Sequence, residues 1–458
     1  MPVRHVRPAP RSTRAAVRVG VAACLALGAV AGCSAPRSTQ VEGGTTAAAG
    51  ASAGHHHAAS TPPAVGDHAE GSAGTHTATA TDARAQLEQL LGQHAILTVR
   101  LTRARLRGDS DLAQSADAAL SKNTADMGAL IGSVYGPEAA EEFEGMWFGH
   151  VTDVFEYARG VADGDEAVQA EARGRLDAYV ADLSRFLEGA TTGAAPAAVV
   201  ADGLRMHVDH LVQQVDAYAS EDYPRAFALE RESYAHMFPL GKTLAAAILT
   251  GGGGALPADF STPSRELQSS LGMLLGEHAE LATDAMRSGV TGNPDFPAAG
   301  AALDANTREI TAVIESVFGA EGASSFQALW ADHIDAFVAY TQALAAEDEA
   351  LEGAAMQRLE AFNGSFATFL ATATQGRLAA PALAESFTTH EELLLRQIQA
   401  YAEEDYSTAH QLSFDAYSHM FVLAADAATA IGDTVAARSP QGGAETGAGG
   451  TAADLAGG

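Results

Sequence analysis

The stretch that decides the fold covers residues 206–238 and reads MHVDHLVQQVDAYASEDYPRAFALERESYAHMF. Apolar residues recur at helical spacing on both sides of an acidic turn at Asp222, which predicts two amphipathic helices folded back on each other. His207 lies about four helical turns before Asp222, and His236 lies about four helical turns after it. At about 1.5 Å of rise per helical residue, both histidines are expected at one height, about 21 Å from the turn.

This unit recurs along the chain. Three histidines each precede an acidic turn residue by the same spacing: His94 before Asp109, His150 before Asp165 and His207 before Asp222. The positions that follow these turns by the spacing of His236 from Asp222 are occupied by Asn123, Tyr179 and His236. We therefore predict three helical hairpins, each of which offers two facing positions at one level.

The chain also contains an internal duplication. GQHAILTVRLTRA, from Gly92, matches GEHAELATDAMRS, from Gly276, and SVYG, AYASEDY and YAHMF recur as SVFG, AYAEEDY and YSHMF. Four histidine pairs and one asparagine pair occupy matched positions: His94/His278, His150/His333, His207/His390, His236/His419 and Asn123/Asn306. Self-similarity of this extent predicts two homologous domains.

The predicted fold class is all-α, with two homologous domains that are each a bundle of three antiparallel helical hairpins, or six helices. We expect the first helical domain at residues 81–250 and the second at 264–435, joined by a Gly- and Pro-containing linker at 251–263. Residues 436–458 are low in complexity and are expected to form a disordered tail.

The N-terminus has the pattern of an export signal. Five arginines precede an apolar run at residues 19–32, which is too short to span a bilayer. The run ends in Val-Ala-Gly before Cys33, which resembles the lipobox of bacterial lipoproteins. This resemblance implies a signal peptide at 1–32, acylation of the Cys33 thiol and an anchor on the extracytoplasmic face of the cell membrane. The alternative is an ordinary cleaved signal with a chance cysteine.

Residues 33–80 are expected to form a disordered tether, since they are rich in Ala, Gly, Ser and Thr. The tether contains five histidines that can capture a transition metal: His55, His56, His57, His68 and His76. A solubilising spacer is the other interpretation. Cys24 lies in the leader, so no internal disulfide is expected in the mature chain.

The net charge limits the possible partners. With 27 basic and 57 acidic residues, the formal charge is −30, which repels nucleic acid and anionic lipid and attracts cations. We predict no nucleic-acid partner. The membrane, reached through the lipid on Cys33, is the one partner that the sequence predicts.

The matched histidines lie within apolar helical stripes and are expected to be buried. Helices packed about 8–10 Å apart allow imidazoles from facing helices to share one ion, and imidazole suits Zn, Cu, Fe and Ni. We predict metal ligands, with copper or zinc as the leading ions, at His94, His150, His207, His236, His278, His333, His390 and His419. Outer partners of these rings are expected at Glu232, Asp415, Asn123 and Asn306.

Known catalytic and metal-centre patterns fit poorly, which disfavours an enzyme, although a metal held only by histidines could in principle carry out redox chemistry. The chain has no duplicated Glu-x-x-His spacing of a di-iron bundle and no haem-attachment motif. It also has no glycine-rich phosphate loop and no nucleophile elbow.

The duplicated run LGEHAELATDAM…NT…SVFG…W..H…H…DY…YSHM resembles a set of secreted helical proteins of Gram-positive bacteria, over residues 82–435. Some of those proteins are labelled copper amine oxidase-like through an attached β-domain. We expect no such domain here, so the label is not transferred to this chain.

Three functional hypotheses follow from the sequence. The first is an extracytoplasmic lipoprotein that binds a transition metal for sequestration or delivery. The second is a metal-free scaffold or interaction lipoprotein of the cell envelope, in which the buried histidines form a structural polar layer. The third is a sensor whose buried imidazoles titrate near neutral pH.

Overall fold

The computed structural model describes residues 80–438, and this range is built from helices and short connections. It contains one 3-10 helix (Gly251–Gly253), no β-strand and eleven α-helices: α1 (Ala80–Arg107), α2 (Ser110–Tyr135), α3 (Pro137–Asp163), α4 (Glu166–Ala190), α5 (Ala197–Ala219), α6 (Tyr223–Thr250), α7 (Pro263–Thr291), α8 (Phe296–Ala345), α9 (Glu349–Ala373), α10 (Ala380–Ala402) and α11 (Tyr406–Arg438). The all-α prediction is confirmed for these residues. The predicted signal peptide, Cys33 and the tether histidines lie outside them.

The acidic turn residues of the sequence pattern begin helices. The carboxylates of Asp109, Asp165 and Asp222 accept hydrogen bonds from backbone N–H groups in the first turns of α2, α4 and α6. Asp348 and Asp405 do the same for α9 and α11. An aspartate at this position satisfies N–H groups that the helix itself leaves without a partner. The recurring Asp therefore fixes where each second helix starts.

A glycine at matched positions separates two helical segments in each repeat. Gly136 lies between α2 and α3 with φ 90° and ψ 170°, and Gly319 interrupts α8 with φ 75° and ψ 178°. A side chain at such a φ is strained, whereas glycine adopts it readily. α8 therefore comprises two segments that correspond to α2 and α3.

Neighbouring helices along the chain pack against each other, and the two repeats are also in contact. α1 packs on α2, α3, α5 and α6, while α7 packs on α8, α10 and α11. Between the repeats, α1 contacts α7 and α11, and α6 contacts α7 and α8. One apolar cluster contains Ala104, Leu112 and Phe227 of the first repeat together with Phe337 and Leu394 of the second. The repeats thus share part of their core.

Equivalent residues of the two repeats meet at their contact. The hydroxyls of Tyr234 and Tyr417 lie 3.3 Å apart, and the rings of Phe238 and Phe421 stack with centroids 6.3 Å apart. Each of these pairs occupies matched positions in the duplication. Contact between like residues is the arrangement of a two-fold dimer interface, here formed within one chain.

Gly276 permits this close approach, and we predict that Gly276→Ala destabilises the fold. An added Cβ would lie 2.7 Å from the Tyr234 hydroxyl and 2.9 Å from the Tyr417 ring. Overpacking of this kind costs about 1–3 kcal/mol in the free energy of unfolding. Gly145→Ala is the matched control, because that exposed helical glycine has nothing within 4 Å of an added Cβ. Denaturant unfolding of both variants checks the prediction, and equal midpoints would contradict it.

α11 is, by length and composition, apolar enough to cross a membrane over Tyr406–Ala437. In the fold, 39% of the most apolar 18-residue stretch of this helix is buried, and the helix packs along α7 and α10.

Candidate metal centre

Six of the eight predicted ligands form two groups of three. His94, His150 and His207 come together from α1, α3 and α5, and His278, His333 and His390 come together from α7, α8 and α10. Within each group, one nitrogen per ring lies within 4.8 Å of the others, and all six side chains are buried. We call these groups the first and the second triad.

The predicted asparagines hold the neighbouring helices in register beside each triad. The Asn123 side-chain amide donates to the Leu90 carbonyl and to Gln93, the residue before His94. Asn306 donates to the carbonyl of Leu274 and to Glu277, the residue before His278. The asparagines therefore position the helix that carries a triad histidine, and their bonds go to its backbone and to the adjacent side chain.

The first triad contains a chain of hydrogen bonds. The Trp147 indole N–H donates to Nδ1 of His94 at 3.2 Å, and Nε2 of His94 lies 3.1 Å from Nε2 of His150. Because the indole can only donate, Nδ1 of His94 carries no proton. A neutral His94 therefore has its proton on Nε2 and donates it to His150. Neither nitrogen of His207 has a hydrogen-bond partner.

Fewer buried polar atoms of the second triad than of the first have a hydrogen-bond partner. Both nitrogens of His278 and both of His390 have no hydrogen-bond partner, and neither does the indole nitrogen of Trp330. A buried polar atom left without a partner costs about 1–3 kcal/mol. A bound ion would satisfy one nitrogen of each imidazole, whereas the other ring nitrogen and the Trp330 indole are donors that need an acceptor.

Burial keeps the triad imidazoles neutral. Desolvation lowers the pKa of His150, His278 and His333 to about 3. The pKa values of His94, His207 and His390 also lie well below the ordinary value, through burial and then through neighbouring histidines. A neutral imidazole has a free lone pair, which is the form that binds a metal. No triad ring therefore has to lose a positive charge to bind an ion at neutral pH, but His94 has to give up its hydrogen bond from Trp147 to become a ligand.

Aromatic rings form one wall of each triad. Tyr179 stacks on His150, and Phe362 stacks on His333, each with centroids 4.3 Å apart. Tyr179 and Phe362 occupy matched positions, each about four helical turns after the second acidic turn of its repeat. They limit the access of water to the histidine beside them.

Glu391 is a buried acid beside the second triad. Its Oε1 atom lies 3.3 Å from Nδ1 of His333, without hydrogen-bond alignment, and its Oε2 atom accepts a 2.7 Å hydrogen bond from Asn363. Burial raises the pKa of Glu391 to about 7.

Sequence reasoning missed both Glu391 and the bond from Trp147 to His94. A Trp one helical turn before a His recurs in both repeats, at Trp147 and Trp330, and this spacing was the available signal. The duplication did not point to Glu391, because the matched position of the first repeat is Val208 and the acid is therefore not repeated.

His236 and His419 are not members of the triads. Nε2 of His236 lies 2.9 Å from the Gly203 carbonyl oxygen, and Nε2 of His419 lies 3.0 Å from the carbonyl oxygen of Ser386. Both rings are partly exposed. They join α6 to α5 and α11 to α10 by side-chain to backbone bonds.

The predicted outer carboxylates are exposed and have other partners. Glu232 pairs with Arg225 at 3.2 Å, and Asp415 accepts a hydrogen bond from Gln411 at 2.8 Å. Neither contacts a triad histidine in the hydrogen bonds that the structure shows for it.

Comparisons with protein-family models, with curated proteins and with solved structures found no match for this chain.

Proposed function

We propose that this protein binds transition-metal ions, with copper or zinc as the leading candidates, at His94/His150/His207 and His278/His333/His390. The observation that carries the proposal is the convergence of three neutral, buried imidazoles at matched places in both repeats. Three histidines are the protein ligand set of well-known zinc sites, in which a water or another ligand takes the fourth position.

The proposal places these sites in two homologous bundles, each of three helical hairpins, and places the protein outside the cytoplasmic membrane. The matched acidic caps and matched glycine breaks support the duplicated architecture. The lipobox-like sequence at Cys33 supports a lipid anchor on the extracytoplasmic face. A buried site on an anchored protein suits the sequestration or delivery of an ion.

A metal-free envelope scaffold is the second candidate. The observation in its favour is the hydrogen-bond chain from Trp147 through His94 to His150, which satisfies part of the first triad without an ion. In that case the histidines would fix the register of the helices, and ion binding would be absent.

Metal titration of the purified full-length protein tests the proposal. We expect Zn²⁺ or copper to bind with at most one ion per triad, and we expect His207→Ala and His390→Ala each to remove one site. These two histidines are the best choices, because neither ring has a hydrogen bond to lose. The measurement is metal content together with the dissociation constant from chelator competition.

His236→Ala and His419→Ala are the matched controls, since both are duplicated histidines outside the triads. They should leave the number of sites unchanged. If the unmodified protein binds neither zinc nor copper at the triads, the metal proposal is wrong and the scaffold is favoured.

A further inference from the structure

The surroundings of the two triads differ at several buried positions, and one differing pair lies at the edge of the second triad. Beside the second triad, Asn363 donates to Glu391, and Glu391 lies next to His333. At the matched positions of the first repeat stand Val180 and Val208, both buried. One triad therefore has an amide–carboxylate pair at its edge, where the other has two apolar side chains.

We infer that the second triad is a site for a divalent cation such as Zn²⁺, with Glu391 as its positioning and charge-balancing residue, and that the first triad discriminates against divalent ions. This inference rests on the proposed function. It adds that the bound ion is divalent, that the two triads differ in their affinity for it, and that Glu391 positions a ligand and balances the charge.

Glu391 and His333 lie close enough to form a carboxylate–histidine pair at a metal, although their 3.3 Å contact is not aligned for a hydrogen bond. In such pairs the carboxylate accepts the proton of one ring nitrogen, which fixes the tautomer and makes the other nitrogen a better ligand. Nδ1 of His333 is the nitrogen beside Glu391, at 3.3 Å. When Glu391 accepts the proton of Nδ1, Nε2 is the nitrogen left to bind an ion. Asn363 holds the other carboxylate oxygen and so fixes the orientation of Glu391.

The charge balance around an ion also differs between the two triads. A divalent ion held only by neutral imidazoles in a dry interior leaves two buried charges uncompensated, which is strongly unfavourable. One nearby carboxylate halves that net charge. The candidate ligands of the first triad are three neutral histidines, and Val208 offers no charge there. The same ion is therefore less stable in the first triad.

The cavity beside the second triad is also larger than the corresponding cavity of the first repeat. A cavity of about 60 Å³ borders the second triad, with His333, His390 and Glu391 in its lining. The corresponding cavity of the first repeat is about 20 Å³ and is lined by Trp147, with no histidine. A water needs on the order of 10–15 Å³ on this kind of measure, so the cavity beside the second triad is large enough for several waters.

The test uses the full chain carrying His207→Ala and alanine at the five tether histidines, so that the second triad is the remaining candidate site, and compares Zn²⁺ with Cu⁺ by chelator competition. Glu391→Gln keeps the size of the side chain and removes its charge. We expect it to weaken Zn²⁺ binding about 10–100-fold, as the loss of an outer carboxylate does at other metal sites. Cu⁺ affinity should fall much less, because the ion carries half the charge.

A second experiment introduces the Asn–Glu pair at the matched positions of the first repeat. Val180→Asn with Val208→Glu, in a chain carrying His390→Ala, should raise the Zn²⁺ affinity of the first triad. Circular dichroism of each metal-free variant checks that it folds. Glu391→Val is the additional variant, since valine stands at the matched position of the first repeat.

The outcomes separate this inference from the proposed function. If Glu391→Gln and Glu391→Val leave Zn²⁺ affinity unchanged while His333→Ala abolishes it, the metal site stands and the role of Glu391 is wrong. Equal losses for Zn²⁺ and Cu⁺ would overturn the charge argument. Absence of binding for both ions in the unmodified chain would overturn the proposed function itself.

Discussion

Replacing Asp284 with alanine is expected to lower the free energy of unfolding by about 3–5 kcal/mol, because it leaves buried arginines without their counter-charge. Asp284 lies on α7 and receives a 3.0 Å hydrogen bond from Nε of Arg100 on α1. Arg103 lies 3.4 Å from its second oxygen. Burial opposes ionisation of Asp284, but Arg100, Arg103 and Arg287 outweigh it and hold the pKa of the carboxyl below its ordinary value.

The charges around Asp284 form one buried cluster between the repeats. Arg100 also pairs with Glu280 at 2.5 Å, and Arg103 pairs with Glu230 at 2.8 Å. With Arg287, the cluster has three cationic and three acidic side chains, all buried. Removal of one acid leaves an excess of one positive charge in a region of low dielectric, where water cannot solvate it.

Denaturant unfolding of Asp284→Ala and of Arg100→Met/Asp284→Leu measures this effect. Removal of both partners should cost less than the sum of the two single changes, because no charge of that pair is left alone. Asp182→Ala is the surface control: its partner Arg185 is largely exposed, so the change should cost at most about 1 kcal/mol. Equal destabilisation by Asp284→Ala and Asp182→Ala would show that the buried cluster contributes no more than a surface pair.

The helices were predictable from the sequence because local patterns decide them. Apolar positions recur at helical spacing, and Asp109, Asp165 and Asp222 are the N-caps that the acidic turns predicted. The duplication predicted that the helices around His278 have the same arrangement as those around His94. These features depend on residues close together in the chain.

The ion cluster could not be predicted, because it depends on contacts between the repeats. Arg100 and Arg103 lie on a helix that the pattern predicts to be amphipathic, where charged residues ordinarily face water. In the fold, α1 is covered by α7, and acids of the second repeat receive both arginines. Arg100 and Asp284 occupy matched positions, so the duplication predicts them to be equivalent, yet they carry opposite charges.

The site was predictable to the extent that helical rise determines it. Counting residues from a turn gives the height of a side chain along the helix, and six histidines lie together as predicted. The count does not fix the direction of a side chain around the helix axis relative to its neighbours. His236 and His419 fit the same residue count, but their rings bond to backbone carbonyls outside the triads.

Acidification from pH 7.5 to 5.5 is expected to destabilise the metal-free protein, and the sign follows from the buried histidines. In the unfolded chain a histidine has a pKa of about 6.5 and takes up a proton over this range, whereas a buried triad histidine does not. Three triad members have a pKa of about 3 in the fold, and the other three also lie well below the ordinary value. The unfolded state binds more protons, so stability is present above about pH 6.5 and is lost as the pH falls toward the folded pKa values.

The magnitude of the acid effect is set by two opposing contributions. Each triad histidine contributes about 1.4 kcal/mol over this interval, and buried His410, whose pKa is also lowered to about 3 by desolvation, contributes the same, which gives about 10 kcal/mol for seven histidines. Glu230 and Glu391 act in the opposite direction, because burial raises the pKa of each to about 7, and together they offset about 4 kcal/mol. Burial also raises the pKa values of Glu88, Glu277 and Glu280, which act in the same direction as Glu230 and Glu391. The histidine contribution is the larger one, so we expect a net loss on the order of a few kcal/mol and a fall of several degrees in the unfolding midpoint.

Calorimetry of the chelator-treated full-length protein at the two pH values measures this loss, and a triad variant assigns its cause. Glu391→Gln removes one opposing carboxyl and should make the acid effect larger, whereas His207→Ala removes one buried histidine and should make it smaller. His236→Ala is the control, because that ring is partly exposed. A midpoint independent of pH, or a change of the same size in all three variants, would contradict the neutral, water-excluded triads, and the metal proposal requires those triads as well.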